Sequence, residues 1–525
     1  MPGRGFRRCR KPLLSEDQRE VIAFLKDPSS YGRGVDRVEV IGTHASLIFI
    51  AGDCAYKLKR AVKYPYLDFS TVDLRKRVCE AELTLNRRTA PALYKKVRGI
   101  FRTAEGGLSF CRDGAAVDWV VVMRRFDQDL LLDRLAKAGG LSPAMMDQLA
   151  DHIAAFHAKA ERRLDCGGAA EMAKLVEVQH HCLAEARGAG FAPPQVEGLI
   201  QKWRERLDTM AGLLDRRRAA GKVRLCHGDL HLRNICLVDG KPTLFDCLEF
   251  DEALATVDVL YDLAFLLMDL EYRALAPSAN RVLNRYLDRS EEDDGLAAMP
   301  LFLSLRAAIR AHVAATMLQR AAGGEDGEEM AANARRYLQL AHELLSPQSC
   351  RLIAIGGVSG TGKSTLAAGL APGLGLRPGA RVLRSDVTRK LLLGVAPEVK
   401  LPADAYTPEM SQRVYDALRR KAAMTLASGY SVIIDAVSLR PEERRAFGEV
   451  ARAAGVPFFG LWLEGRPEAM ASRIRARRDD ASDASPEILA EQLRHDPGTI
   501  EWTRLDVSAG PDECLATARR ALNLP

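Results

Sequence analysis

The sequence predicts a chain of two different folds, an α+β part running to about Pro347 and an α/β part with a doubly wound parallel sheet from Cys350 to the end. Three observations carry this. Extended apolar runs crowd the first third, helical spacing dominates from Leu141, and beyond Pro347 four apolar strands alternate with helices. The length of 525 residues leaves room for roughly two to four domains with sizeable cores.

Residues 1–35 open with the basic run MPGRGFRRCRK, which no apolar stretch follows, so a solvated segment and a leading helix are expected rather than a secretory signal. RVEVIGTHASLIFIAGDCAYKLKR then reads as extended runs broken at Gly42 and at AGD. STVDLRKRVCEAELTLNRR has helical apolar spacing, with Ser70 as the expected N-cap, and AVDWVVVMRR is extended again. These elements make a small lobe over 36–125. A mainly helical lobe follows over 126–347, including SPAMMDQLADHIAAFHAKAERR and PPQVEGLIQKWRERLDTMAGLLDRRRAAG, with short strands around a loop at KVRLCHGDL and KPTLFDCLEF. The last domain, 350–525, takes its strands from RLIAIGG, RVLRSD, SVIIDA and PFFGLWLEG. No internal repeat or low-complexity tract interrupts the chain.

Composition excludes several classes. A net charge of +7 over this length is mild and does not mark a nucleic-acid binder. The most apolar window, VDVLYDLAFLLMDLE, is broken by Asp258, Asp262 and Asp269 and is too short to span a bilayer. The 11 cysteines form no CxxC pair and no Cys/His metal spacing, which points to reduced thiols and a cytoplasmic location.

Gly357-Val-Ser359-Gly360-Thr361-Gly362-Lys363-Ser364 fits the phosphate-loop pattern, follows an apolar strand and opens a helix that continues through Thr365. Its glycines let backbone N–H groups turn onto phosphates at a helix N-terminus. Lys363 is placed to reach the β- and γ-phosphates of ATP and Ser364 to ligate magnesium. Asp435, ending SVIID, is a second candidate for the magnesium shell. Asp386 ends RVLRSD, a strand expected beside the phosphate loop, and can accept a proton from an attacking hydroxyl. Arg384, Arg389 and Lys390 around it are candidates for an anionic acceptor or a solvated basic face. Arg473 and Arg477, one helical turn apart, are candidates to clamp the transferring phosphoryl group, or else pair with Asp479 and Asp480 on a surface helix. This segment resembles the small P-loop kinases of metabolites, such as gluconate kinase, chloramphenicol phosphotransferase, zeta-toxin kinases and the kinase part of polynucleotide kinase. In them an Asp after the second strand faces the acceptor, which matches Asp386.

In HGDLHLRNI, His227, Asp229 and Asn234 follow an H-x-D-x-x-x-x-N pattern, and Asp246 returns in LFDCLEF after a turn at VDGKP. A loop of this kind carries an acceptor-orienting carboxylate and a metal ligand toward one γ-phosphate, and a hairpin brings back a second carboxylate. The set resembles the aminoglycoside phosphotransferase and choline kinase superfamily, which implies a two-lobed, protein-kinase-like fold. By that resemblance Asp229 is the catalytic base, Asn234 and Asp246 are magnesium ligands, and His227 braces the loop. Lys57 takes the place of the lysine that grips the α- and β-phosphates, with Lys59 as its rival. Glu80 is favoured over Glu82 as the lysine's partner, and the strand near Met123 passes into the hinge that meets adenine. No G-x-G-x-x-G loop stands between RVEVIG and LIFIAG.

Taken together, the halves resemble the bacterial bifunctional aminoglycoside phosphotransferase/ATP-binding protein family. YKLKR, LDFST, LNRR, HGDLHLRNI, YDLAFLLMDLE and RSDVTRK spread that likeness over nearly the whole chain. The expected function is ATP- and magnesium-dependent transfer of a γ-phosphoryl group to small-molecule hydroxyls by each half, with no membrane partner. The alternatives are a kinase-like sensor that regulates a single P-loop kinase, and a nucleotide switch or nucleic-acid end kinase. An aminoglycoside acceptor requires a carboxylate-lined pocket, for which Glu249, Asp251, Glu252, Asp269 and Glu271 are the candidates.

Overall fold

A computed structural model describes residues 17–524 apart from 44, 65–66, 113, 187–188, 321–326 and 477–480. The basic start and Arg477, with Asp479 and Asp480, lie outside the described residues. The chain divides into two compact units, 1–167 with 221–262 and 168–220 with 263–525. The helices expected to close the first domain before Pro347 thus belong to the same unit as the carboxyl-terminal sheet.

The first unit holds a six-stranded antiparallel sheet of β1 (Val38–Gly42), β2 (Ser46–Ala51), β3 (Cys54–Lys59), β4 (Tyr94–Arg102), β5 (Leu108–Ser109) and β6 (Ala116–Arg124), in the order β1-β2-β3-β6-β4-β5. Helix α1 (Val72–Asn86) packs on β6 and β4. It buries Arg75, Cys79, Glu82 and Asn86, a stripe at four- and three-residue steps. Its N-cap is Thr71, whose Oγ1 accepts from Leu74 N at 3.3 Å. Ser70, the expected cap, instead ends a turn in which its own N–H donates to Asp68 Oδ1 at 3.1 Å. Between β1 and β2 the turn is short: Gly42 pairs with Leu47, and Thr43 N donates to Ser46 O at 2.8 Å.

Two small antiparallel pairs carry the loop of the first site. One pairs β7 (Val223–Leu225) with β10 (Thr256–Asp258), and the other pairs β8 (Ile235–Val238) with β9 (Lys241–Leu244). Asp239 and Gly240, at φ 51° and 76°, join β8 to β9. Both lie in the left-handed region that a two-residue hairpin turn demands.

In the second unit, β11 (Leu352–Gly356), β12 (Arg381–Arg384), β13 (Val432–Asp435), β14 (Phe458–Glu464) and β15 (Thr503–Asp506) form a parallel sheet in the order β12-β13-β11-β14-β15. β13 thus stands between β12 and the phosphate-loop strand β11. Asp386, expected to end the strand β12, lies two residues past it, in the first turn of a helix. The edge strand β12 is covered by helix α2 (Ala276–Ser290). Asn280 Nδ2 donates to Ala380 O at 3.0 Å, and Asn284 Oδ1 accepts from Val382 N at 2.7 Å. Amide side chains here satisfy backbone groups that an edge strand leaves open. Beside them, fully buried Arg381 meets Asp288 and Asp293, each at 2.7 Å. Burial alone would lower the Arg381 pKa, but the two carboxylates outweigh it and raise it. The segment Asp293–Gln319 is long and apolar enough to cross a membrane, but more than half of its most apolar stretch is buried inside the protein.

Removing Arg381 leaves two carboxylates without their shared cation. Arg381→Ala should therefore lower unfolding stability by about 3–5 kcal/mol, measured by chemical denaturation of the full chain. An isolated fragment of 350–525 should melt less cooperatively than the same residues in the whole protein.

Candidate active sites

In the first unit, the loop after β7 is fixed from below by Asp262. His227 N and Gly228 N donate to its two carboxylate oxygens at 3.2 and 2.8 Å, and His157 Nε2 lies 3.1 Å from it. Gly228 sits at φ 82°, and a Cβ there would come within 3.0 Å of Leu248 and 3.2 Å of Ala255. The turn thus requires glycine. His227 is fully buried, and burial lowers its pKa despite the neighbouring Asp262 carboxylate. Its Nε2 bonds Phe245 O at 3.1 Å, which ties the loop to β9. His157, Cys226 and Asp262 cluster closely enough to hold a metal ion, but Asp262 is already committed to the loop amides.

Asp229 emerges on the open side of this loop. Asn234 Nδ2 donates to Asp229 Oδ2 at 2.8 Å and to Asp246 O at 3.4 Å. Those bonds use the Asn234 amide nitrogen, and its carbonyl oxygen is the atom able to serve as a cation ligand. Asp246, at φ 57°, is held by its own N–H to Tyr94 Oη at 3.2 Å and by Cys247 N to Asn86 Oδ1 at 2.9 Å. Oxygen donors of this kind suit magnesium, so the residues present fit the ion.

The phosphate-gripping position is a buried charge cluster. Lys57 Nζ lies 2.7 Å from Glu82 Oε1 and 2.5 Å from Asp246 Oδ1, while Lys59 Nζ lies 2.6 Å from Glu82 Oε2 and bonds Glu249. Glu80 is not the partner. It lies on the exposed face of α1, 3.9 Å from Lys76, because two residues turn a helix through about 200°. Burial would raise the Glu82 pKa, but Lys57 and Lys59 outweigh it and pull it down to about 2. Burial would likewise lower the Lys57 pKa, but Asp246 and Glu82 carry it well above its ordinary value. Met123 is buried near the end of β6, paired with Ala55 on one side and Tyr94 on the other.

In the second unit, β11 runs into the phosphate loop and helix α3 (Lys363–Leu370). Gly357 and Gly360 sit at φ 132° and 84°, and Cβ atoms there would lie 2.5 Å from Leu463 O and 2.7 Å from Met470 O. Gly362, at φ 91°, has open space instead. Lys363 Nζ curls over the loop, 2.8 Å from Gly357 O and 3.0 Å from Val358 O. Ser364 Oγ donates to Asp435 Oδ2 at 2.6 Å, so the two expected magnesium ligands lie together. Thr361 Oγ1 bonds back to Val358 O at 2.9 Å, a bond within the loop. Ser359 N–H donates to Gln492 Oε1 at 2.7 Å, a residue that the sequence reading did not single out. Thr365 lies in the first turn of α3, with its side chain exposed.

Asp386 opens helix α4 (Ser385–Leu392). Burial and nearby Asp435 raise its pKa, while Arg384 and a hydrogen bond from Ser482 oppose the shift. Arg384 Nε is 3.4 Å from Asp435 Oδ2. Lys390 is fully buried, bonded to Pro397 O at 2.8 Å and Asp483 Oδ1 at 3.1 Å. Buried Arg389 bonds Ala405 O at 3.0 Å and lies 4.6 Å from the Tyr406 ring centre. RSDVTRK is therefore not a basic surface. On α5 (Pro467–Ala476), Arg473 donates to Val507 O at 3.0 Å, a contact with a loop carbonyl rather than with the phosphate loop.

A family model described as "Phosphotransferase enzyme family" matches residues 108–302, and one described as "AAA domain" matches 352–496. Along the whole chain, the uncharacterised protein Rv2004c of Mycobacterium tuberculosis is 32% identical over 486 residues, which cover 91% of this chain and 93% of that one. The uncharacterised protein Mb2027c of Mycobacterium bovis matches to the same extent. The chain belongs to the family that joins these two domains in one polypeptide. Within this family the protein is a phosphotransferase of the kinase type. Among solved structures, a choline/ethanolamine kinase family protein from Mesorhizobium loti is 14% identical, covering 62% of this chain and 98% of its own, with a TM-score of 0.37. A gluconokinase from Sinorhizobium meliloti is 24% identical over 34% of this chain and 95% of its own, with a TM-score of 0.24. At those scores neither adds to the fold described above.

The charge cluster separates the two glutamates experimentally. Glu82→Gln should weaken ATP binding in the first unit at least tenfold, whereas Glu80→Gln should stay within twofold, by calorimetric titration. The folded pKa of Glu82, about 2, lies below its ordinary 4.5. Its stabilisation is therefore present above pH 4.5 and lost as pH falls toward 2, and Glu82→Gln should flatten that part of the stability curve.

Proposed function

We propose that the protein is a bifunctional, ATP- and magnesium-dependent kinase, each half transferring the γ-phosphoryl group of ATP to a hydroxyl of a small molecule. One observation carries the reading: each half supplies the same three parts. Asp229 and Asp386 are the carboxylates for the acceptor hydroxyl. Asn234 with Asp246, and Ser364 with Asp435, are oxygen sets for the cation. Lys57 and Lys363 are the phosphate-gripping ammonium groups. In each half the hydroxyl proton passes to the carboxylate, its oxygen bonds to the γ-phosphorus, and the bond to the ADP oxygen breaks. Magnesium, when bound, neutralises charge on the phosphate oxygens.

The acidic residues that an aminoglycoside would need are taken up internally. Glu249 bonds Lys59, Asp251 caps Ala253 N, Glu252 bonds Arg163, Asp269 lies 3.1 Å from Arg273, and Glu271 is buried 3.8 Å from Arg377. That favours a neutral or anionic acceptor over a polycation for the first half. The buried state of Lys390 and Arg389 likewise weighs against a nucleic-acid end kinase. The ten cysteines among the described residues are free, in keeping with a cytoplasmic protein. A second reading, a kinase-like sensor, draws on the short β1–β2 turn, which offers no Gly-rich cover for phosphates.

Transfer of labelled phosphate from ATP into a pooled metabolite extract decides between them. Asp229→Ala and Lys363→Ala should each abolish a different product, and an Asp229→Ala variant that keeps every product would leave the first half a sensor. Because the Asp386 pKa is raised, the product lost in Lys363→Ala should fall off with acidification at a pH above the ordinary carboxylate range.

A further inference from the structure

We propose that Gln492 is the side chain that meets the transferred phosphoryl group in the P-loop half, a neutral amide donor where an arginine clamp was expected. This rests on the reading that the loop at 357–364 binds ATP. Helix α6 (Pro486–Arg494) carries Gln492, which is half-buried. Its Oε1 accepts from Ser359 N at 2.7 Å, and Lys363 Nζ lies 3.0 Å from Val358 O. Val358 C=O and Ser359 N–H belong to one peptide unit, so the phosphate-gripping ammonium and the Gln492 amide hold its two ends. The oxygen of the Gln492 amide is spent on the loop. Its Nε2 carries two protons, no hydrogen bond from it appears among the described residues, and it is bonded to the same carbon as that oxygen. It is therefore held at the phosphate loop as a donor.

Two further contacts tie the same stretch of chain to the acceptor side. Ser482 bonds Asp386. Asp483 accepts from Lys390 Nζ at 3.1 Å, from Leu401 N at 3.2 Å and from Tyr406 Oη at 2.7 Å. Residues 482–492 thus touch the phosphate loop at one end and the acceptor carboxylate at the other. Arg473, by contrast, is spent on Val507 O. Donors fixed at the phosphoryl oxygens that carry charge in the transition state are a strong lever on phosphoryl chemistry. Gln492 sits where such a donor belongs.

The test compares binding of AMP-PNP and ADP to the full chain with magnesium, counting as the P-loop site's share the nucleotide that Lys363→Ala removes. Gln492→Met keeps the side chain's size and removes both amide functions. It should reduce the preference for AMP-PNP over ADP at least fivefold, with ADP affinity changed less than threefold. Gln492→Glu, which adds a negative charge beside the γ-phosphoryl group, should reduce the preference further. Glu491→Gln, on the exposed face of the same helix, should match wild type. If Gln492→Met weakens ADP and AMP-PNP alike, Gln492 only braces the loop and the proposal is overturned. An unchanged preference overturns it too. A wild type that binds both nucleotides through Lys363 but phosphorylates no hydroxyl overturns the proposed kinase function alone, since the Gln492 comparison is read from binding.

Discussion

A phosphoryl-transfer site must keep several carboxylates close together without letting their mutual repulsion protonate them or push them apart. In each unit the clustered carboxylates have fixed partners. In the first, Glu82 lies buried between Lys57 and Lys59, and Asp246 shares Lys57. In the second, Asp435 accepts from Ser364 and has Arg384 beside it, while burial, with Asp435 nearby, raises the Asp386 pKa against the pull of Arg384. Burial magnifies both the attraction and the cost of losing a partner. Lys57 and Lys59 thus keep Glu82 and Asp246 in place, as Ser364 does Asp435.

The chemistry-bearing motifs were legible because their spacing is local. HGDLHLRN and GVSGTGKS each fix a loop from a few consecutive residues, and within the first Asn234 bonds Asp229, whereas the contact of Ser364 with Asp435 spans 71 residues. Pairings across the sheet were less legible. Choosing Glu80 over Glu82 missed a signal that was present: Glu82 falls on the stripe Arg75, Cys79, Glu82, Asn86, which α1 buries. The order of the parallel strands, with β13 between β12 and β11, was not available from local pattern. The strand Thr503–Asp506 is short and charged, with an exposed face, and gave no apolar run to read. Gln492 belongs to no motif that the sequence alone could assign, since its contact with Ser359 is 133 residues away in the chain.

The boundary expected at Pro347 reflects a change of pattern rather than a separation in space. Asn280 and Asn284 serve the backbone of β12, and Arg381 meets Asp288 and Asp293 in a buried network. β12 leads directly into the helix that carries Asp386. Residues from the phosphotransferase part of the sequence thus help to hold the strand that leads to Asp386 in the P-loop part. This dependence gives the fusion a physical basis: the second site is assembled with helices encoded before it.

A bifunctional kinase of the kind proposed requires two nucleotide sites in one polypeptide. The most direct measurement is the number of AMP-PNP molecules bound per chain at saturation, with magnesium, by native mass spectrometry of the full-length protein. The account predicts two. A single bound nucleotide, lost on substitution of Lys363, would contradict it and leave the first unit without a donor site.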